Sequence, residues 1–114
     1  MTIIISGQVR LPAESREKAL QGAYPLIEEA RAESGCIAYN WSADLSDPEL
    51  IYVFEEWTDA DSLAVHFDAP SYHKMLAHLS SYSILSAETF KYQVSDKATV
   101  YNSAGVPSVL FTDS

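Results

Sequence analysis

The chain has 114 residues, 47% of them apolar, and sets seven Lys plus Arg against sixteen Asp plus Glu for a formal charge of −9. That length fits one domain and is too short for two, and its apolar share can build a real core, one that a second copy covering an open face would enlarge. The acidic balance, with no Lys/Arg cluster to break it, excludes nucleic acid and anionic membrane from the expected partners.

Residues 2–10, TIIISGQVR, are rich in β-branched side chains and alternate. Ile3, Ile5, Gly7 and Val9 share one face of a strand that Pro12 ends. The start of the chain carries neither a basic segment nor a long apolar run, so no signal peptide or membrane span is expected, and the expected setting is cytoplasmic. Residues 14–34 read as a helix, with Leu20, Ala23, Tyr24, Ile27, Ala30 and Arg31 on 3- and 4-residue steps. Gly22 and Pro25 oppose a straight one, so a kink is expected, and Gly35 is a stop signal.

Residues 36–44, CIAYNWSAD, form a second strand. Its Cys36 is the chain's single cysteine, which rules out an internal disulfide and any multi-cysteine metal site. With no cation beside it in sequence, it reads as a buried, inert thiol. LSDPE is turn chemistry, and LIYVFEEW, residues 50–57, returns as the antiparallel third strand. Thr58 caps a helix over about 59–67, with Asp61 three residues on, and Pro70 opens a second segment over about 70–82 with Tyr72, Met75, Leu76 and Leu79 as its stripe. A fourth strand follows over about 84–95.

The order is β-α-β-β-α-β, the ferredoxin-like α+β arrangement of a four-stranded antiparallel sheet with its helices on one face. Apolar residues on both faces of the strands predict a homodimer. Residues 1–95 make the domain, and residues 96–114 are surplus to it: an arm on the partner subunit, a cap on a cavity or a disordered tail, with the arm as the expectation.

Chemistry concentrates where the third strand meets the next helix, in EEWTDADSLAVHFDAP, residues 55–70. Read alone, Trp57 is a core tryptophan and His66 a histidine at the border of an apolar face. Glu55 interrupts an apolar alternation; it is either at an edge, paired with a cation such as Arg31 or Arg10, or held in a pocket with a raised pKa, and the ion pair is the expectation. His73 and His78 read as solvent-facing beside Lys74 and Ser80. The spacing of the three histidines does not make a helical zinc pair, so no metal is expected. No glycine-rich phosphate loop and no flavin or nicotinamide fingerprint appears, and no cofactor is expected.

The run from Gly35 to His66, with Tyr39, the Asp47-Pro48 turn, Glu55-x-Trp57 and a short helix ending in His66, resembles the antibiotic biosynthesis monooxygenase domain. The resemblance covers residues 2–95. It implies a dimeric α+β barrel with a pocket between sheet and helices in each subunit. It implies a cofactor-independent monooxygenase in which a hydrophobic phenol, quinol or anthrone-like substrate itself supplies electrons to O₂. His66 is the expected catalytic base or hydrogen-bond partner. Trp57, Tyr72, Phe67 and Met75 are the expected walls, and Tyr39 and Asn40 the candidate oxyanion donors. Val53 stands where anthrone-type members carry an asparagine. Leu76 stands where haem-degrading members carry the iron-binding histidine, which disfavours haem binding or degradation. The alternative function is a non-catalytic dimer that binds or senses a small aromatic molecule.

Overall fold

The structure is a computed structural model that describes residues 1–112. Its elements are β1 (Ile3–Arg10), α1 (Ala13–Arg31), β2 (Cys36–Ala43), β3 (Leu50–Trp57), α2 (Ala60–Asp68), α3 (Pro70–Ser80) and β4 (Ser86–Gln93). The strands form one antiparallel sheet in the order β2-β3-β1-β4. This is the expected ferredoxin-like plan, its second helical region split in two where Pro70 opens α3 as a first-turn proline.

The register decides what faces the helices. Ile3, Ile5 and Val9 of β1 lie opposite Trp57, Glu55 and Ile51 of β3, and β2 sets Tyr39 opposite Glu55 and Trp41 opposite Val53. This inner face and α1 bury Ile51, Trp57, Tyr39, Leu63, Met75 and Leu79 with Ala19, Ala23, Ile27 and Ala30. The pairing slips between Cys36 and Ala38, so Ile37 leaves the alternation expected of it and is exposed. Cys36 is half-buried, and burial pushes its thiol pKa up.

Helix α1 runs through Pro25 as one element. Pro25 and Gln21, whose carbonyl loses its partner there, both lie on the exposed side, where water can replace the lost bond. Tyr24 is exposed and does not join the buried stripe. Gly22 has a packing reason: a Cβ there would meet His78 Cε1 at 2.6 Å. His78 is not solvent-facing as its neighbours suggest. It leans onto α1, its Nε2 2.8 Å from the Ala19 carbonyl oxygen.

Gly35 links α1 to β2 at φ +85°, and a Cβ there would run into the Ser62 hydroxyl. The α2 cap is Asp59, whose carboxylate accepts from the Ser62 amide at 2.8 Å, while the expected cap, Thr58, shares a hydroxyl bond with Ser62. Asp44 organises the β2–β3 turn, accepting from the amides of Ser46 and Asp47 at 3.0 and 2.7 Å and from Tyr52 Oη at 2.8 Å.

The opposite face of the sheet carries Ile4, Tyr52, Phe54, Phe90 and Tyr92, and Phe90 and Tyr92 remain 59% and 53% exposed. Beyond β4 the chain is largely exposed, with Ala98 and Phe111 bordering a cleft beside Thr2, Ile4 and Glu56. Tyr101 pairs with Pro107 across a turn closed by Asn102 and Gly105, with Val100, Leu110 and Phe111 exposed. The radius of gyration is 16.1 Å, against about 13 Å for a compact chain of this length. Among the described residues no helix is long and apolar enough to cross a membrane.

Candidate functional site

A cavity of about 310 Å³ lies between the inner face of the sheet and helices α2 and α3. Ile5 and Val53 floor it, and Phe67, Tyr72 and Met75 wall it from the helices. Its polar lining includes Glu55, Tyr39 and Trp41, and no Lys, Arg or His is among the lining residues. A cavity of this kind favours a neutral, flat, largely apolar ligand over an anion.

Glu55 is there because of the strand period. It sits two residues from Val53 and from Trp57 on the same face, opposite Ile5 on one side and Tyr39 on the other. It is 7% exposed. Neither expected cation reaches it: Arg10 pairs with Asp47 at 2.8 Å, and Arg31 bonds the Tyr39 carbonyl at 2.9 Å. Glu55 Oε1 instead accepts the Trp57 indole N–H at 3.0 Å and lies 3.9 Å from His66 Nε2. Burial pushes the Glu55 pKa up, the Trp57 bond and His66 pull against that, and the charge of Glu33 adds to it.

His66 closes α2 and is 1% exposed. Its ring lies over the Trp57 indole, centroids 4.5 Å apart at 31°, and meets Tyr72 edge-on at 5.7 Å. Nδ1 lies 3.0 and 3.1 Å from the two carboxylate oxygens of Glu33, in the turn after α1. Ser71, at the start of α3, donates to Glu33 Oε2 at 2.6 Å. A line of polar groups therefore runs Ser71–Glu33–His66–Glu55–Trp57 through the core, and only Glu55 of that line opens on the cavity.

The remaining expected residues divide. Tyr39, Phe67, Tyr72 and Met75 line the cavity. Trp57 does not: it is fully buried behind Glu55 and holds the carboxylate and the imidazole. Asn40 points away as well, exposed on the other face, its Oδ1 3.4 Å from an Arg31 nitrogen. Tyr39 accepts the Trp41 indole N–H at 3.0 Å, which leaves its own hydroxyl proton free to donate. Burial pushes the Tyr39 pKa up and keeps that proton in place. Glu33 and Ser71 went unnoticed in the sequence. Only a carboxylate just past a helix end signals Glu33, and nothing signals that α2 would deliver an imidazole to it. Among the described residues no trio of His, Cys, Asp and Glu is placed to hold one metal ion. Glu33 and Glu55 face opposite nitrogens of the same ring, so one ion could not touch all three.

The sequence model of the family described as antibiotic biosynthesis monooxygenase matches residues 2–78. The chain belongs to that family. The Synechocystis protein sll1783 is similar to this antibiotic biosynthesis monooxygenase family member at 24% identity over 98 residues, 86% of this chain and 67% of its own. A conserved protein from Methanosarcina mazei superposes with a TM-score of 0.74 at 27% identity, over 82% of this chain and 92% of its own. A Deinococcus radiodurans protein proposed as an antibiotic biosynthesis monooxygenase superposes with a TM-score of 0.78 at 21% identity, over 88% of this chain and 99% of its own. Family membership supports a monooxygenase-like function in general and names no substrate.

Proposed function

We propose that the chain is a monooxygenase that oxidises a neutral phenol, quinol or anthrone-like substrate with O₂, using Glu55 as the base that touches the substrate. The observation that carries this reading is the carboxylate itself: a buried Glu55 of raised pKa facing an apolar cavity of about 310 Å³. A carboxylate made more basic by burial is a better match to a weakly acidic substrate proton, and a positioned base contributes roughly 10²–10⁴-fold.

The reaction proceeds without an external reductant because the substrate is the electron source. Glu55 takes the acidic proton. The Tyr39 hydroxyl donates to the developing oxyanion, and the apolar walls keep water out. The electron-rich carbon of the anion passes an electron to O₂, and recombination forms a C–O bond; the peroxide anion takes back the proton held by Glu55 and becomes a hydroperoxide. Removal of the remaining C–H proton forms the carbonyl and breaks the O–O bond. One oxygen atom stays in the product as that carbonyl, the other leaves as hydroxide and becomes water with the second proton, and the four electrons lost by the substrate carbon are the four that O₂ gains. His66, expected to touch the substrate, acts instead through Glu55. Trp57, expected as a wall, acts by holding Glu55.

Oxygen uptake with 1,4-naphthalenediol and anthrone, corrected for the buffer rate, tests the reading. One ¹⁸O atom from ¹⁸O₂ in the product supports it; uptake no faster than buffer with both substrates counts against it. A second reading has its own support. No imidazole lines the cavity, so the site could bind a small aromatic molecule without turning it over. Calorimetric binding of anthrone or naphthalenediol with no product would favour that reading. Haem has fewer potential ligands than the sequence offered: both His66 nitrogens face carboxylates and His78 Nε2 is engaged by Ala19, which leaves His73.

The working assembly in this reading is a cytoplasmic homodimer whose two sheets meet through Ile4, Tyr52, Phe54, Phe90 and Tyr92, with the segment after β4 as an arm on the partner. The support is an apolar face that a monomer would leave in water, and an apolar tail that packs little against its own body.

A further inference from the structure

The imidazole at the centre of the polar line has a carboxylate on each side, and the two sides are not equivalent. Glu33 meets Nδ1 with both oxygens, at 3.0 and 3.1 Å, and is itself held by the Ser71 hydroxyl at 2.6 Å. Glu55 stands 3.9 Å from Nε2, beyond hydrogen-bond distance. An ionised carboxylate only accepts, so the nitrogen that faces Glu33 must carry the proton. In the neutral ring that leaves a lone pair on Nε2, turned toward the carboxyl group that opens on the cavity.

We propose that Glu33 is a positioning residue that fixes the His66 tautomer with the proton on Nδ1, so that Nε2 is the basic nitrogen offered to Glu55. The inference rests on the reading of Glu55 as the base and deepens it. Glu55 that has taken a substrate proton can hand it to Nε2 once a rotation of its carboxyl closes the 3.9 Å gap, without any group crossing the cavity. Glu33 then balances the imidazolium that forms. A carboxylate that orients a histidine and stabilises its charged form in this way acts without touching the substrate. The neighbours agree. The other groups packed on the ring are Tyr39 from β2, Trp57 from β3, Phe67 from α2 and Tyr72 from α3, which bring no further charge to it. Cys36 feels the charges of Glu33 and Glu55, and Arg31 is engaged by the Tyr39 carbonyl and Glu28 rather than by the imidazole.

Two isosteric changes separate this role from packing. In Glu33→Gln, Ser71 still donates to the side-chain oxygen, and the amide NH₂ turns to Nδ1. The ring must then accept at Nδ1 and carry its proton on Nε2. In Ser71→Ala the Glu33 charge stays, and so should the tautomer. Two-bond ¹H–¹⁵N correlation spectra of the His66 ring read this directly. The expected result is the Nδ1–H form in the wild type and in Ser71→Ala, and a switch to the Nε2–H form in Glu33→Gln. Turnover of 1,4-naphthalenediol should fall at least tenfold in kcat for Glu33→Gln with KM within about twofold, because Glu33 does not line the cavity. An Nε2–H ring in the wild type, or an unchanged tautomer in Glu33→Gln, overturns the proposal. A switched tautomer with unchanged kcat overturns its catalytic part. Absence of wild-type turnover overturns the reading of Glu55 as a base and leaves the spectra to decide the tautomer.

Discussion

Replacing Glu55 by glutamine separates chemistry from folding at this site. The amide has the carboxylate's shape. Its oxygen can keep the 3.0 Å bond from the Trp57 indole, on the same side-chain position that now stands 3.9 Å from His66 Nε2, and its NH₂ takes the place of the other carboxylate oxygen. The buried indole N–H therefore keeps its acceptor, and the costly outcome of leaving that donor without a partner is avoided. What is lost is the ability to take a proton. A general base is worth roughly 10²–10⁴-fold, or about 3–5 kcal/mol of transition-state stabilisation. Stability should move the other way as the pH rises. Burial holds the Glu55 pKa above its usual value of about 4.5. A carboxyl raised in the folded state contributes its stability below the unfolded value and loses it as the pH climbs through the folded value. Glutamine has nothing to ionise, so Glu55→Gln should gain on the wild type in chemical denaturation as the pH is raised from 4 to 8.

The assay is oxygen uptake with anthrone or 1,4-naphthalenediol beside urea denaturation of both proteins. The expected pair of results is a rate down by at least a hundredfold and a midpoint equal to or above that of the wild type at pH 8. A variant that turns over within threefold of the wild type refutes Glu55 as the base. A variant whose stability falls relative to the wild type from pH 4 to pH 8 refutes the raised pKa.

Trp57→Ala should cost about 3–5 kcal/mol in denaturant unfolding, as large aromatic truncations in a core do. Trp57→Phe should cost less and raise the apparent pKa of Glu55 further, seen by ¹³C NMR of the labelled carboxyl, because the indole N–H that favours its charged form is gone. On the open face, Phe54→Asp should convert a dimer to a monomer in sedimentation equilibrium while far-ultraviolet circular dichroism stays unchanged, since Phe54 is on the face away from the helices. At the β2–β3 turn, four hydrogen bonds, from the amides of Ser46 and Asp47 and the hydroxyls of Ser46 and Tyr52, hold the Asp44 pKa at about 2 against a usual 3.8. That stability is present above 3.8 and lost as the pH falls toward 2. Asp44→Asn should therefore lower Tm at pH 7 and leave a smaller difference from the wild type at pH 2.

The fold was legible because each element carried its own period. The alternation of Ile3, Ile5 and Val9, the turn chemistry of Asp47 and Pro48, and the Pro70 start of α3 are local signals, and they agree with one another. The slip at Ile37 and the inward lean of His78 were not legible, since each depends on what another element brings: β3 in one case, the gap above Gly22 in the other. The site failed in the same way. Glu55 looked like a salt-bridge partner because Arg10 and Arg31 were available in composition. The fold commits Arg10 to the β2–β3 turn and Arg31 to the Tyr39 carbonyl, so the carboxylate meets an indole and an imidazole.

That difference changes what kind of site this is. A carboxylate paired with arginine has a lowered pKa and makes a poor base at neutral pH. A carboxylate whose partners are a neutral N–H donor and a histidine that another carboxylate already engages keeps its burial penalty and with it a raised affinity for a proton. The same packing that hides His66 from the cavity makes this possible. An imidazole lining the cavity would meet the ligand directly, whereas one stacked on Trp57 at 4.5 Å works, in the proposed reading, through Glu55. Moving the titratable face of the site from the helix to the strand also puts it on the stiffer element. Glu55 is held by pairing on both sides, to Ile5 of β1 and Tyr39 of β2, so its position relative to the cavity floor is set by the sheet rather than by the short helix that carries His66.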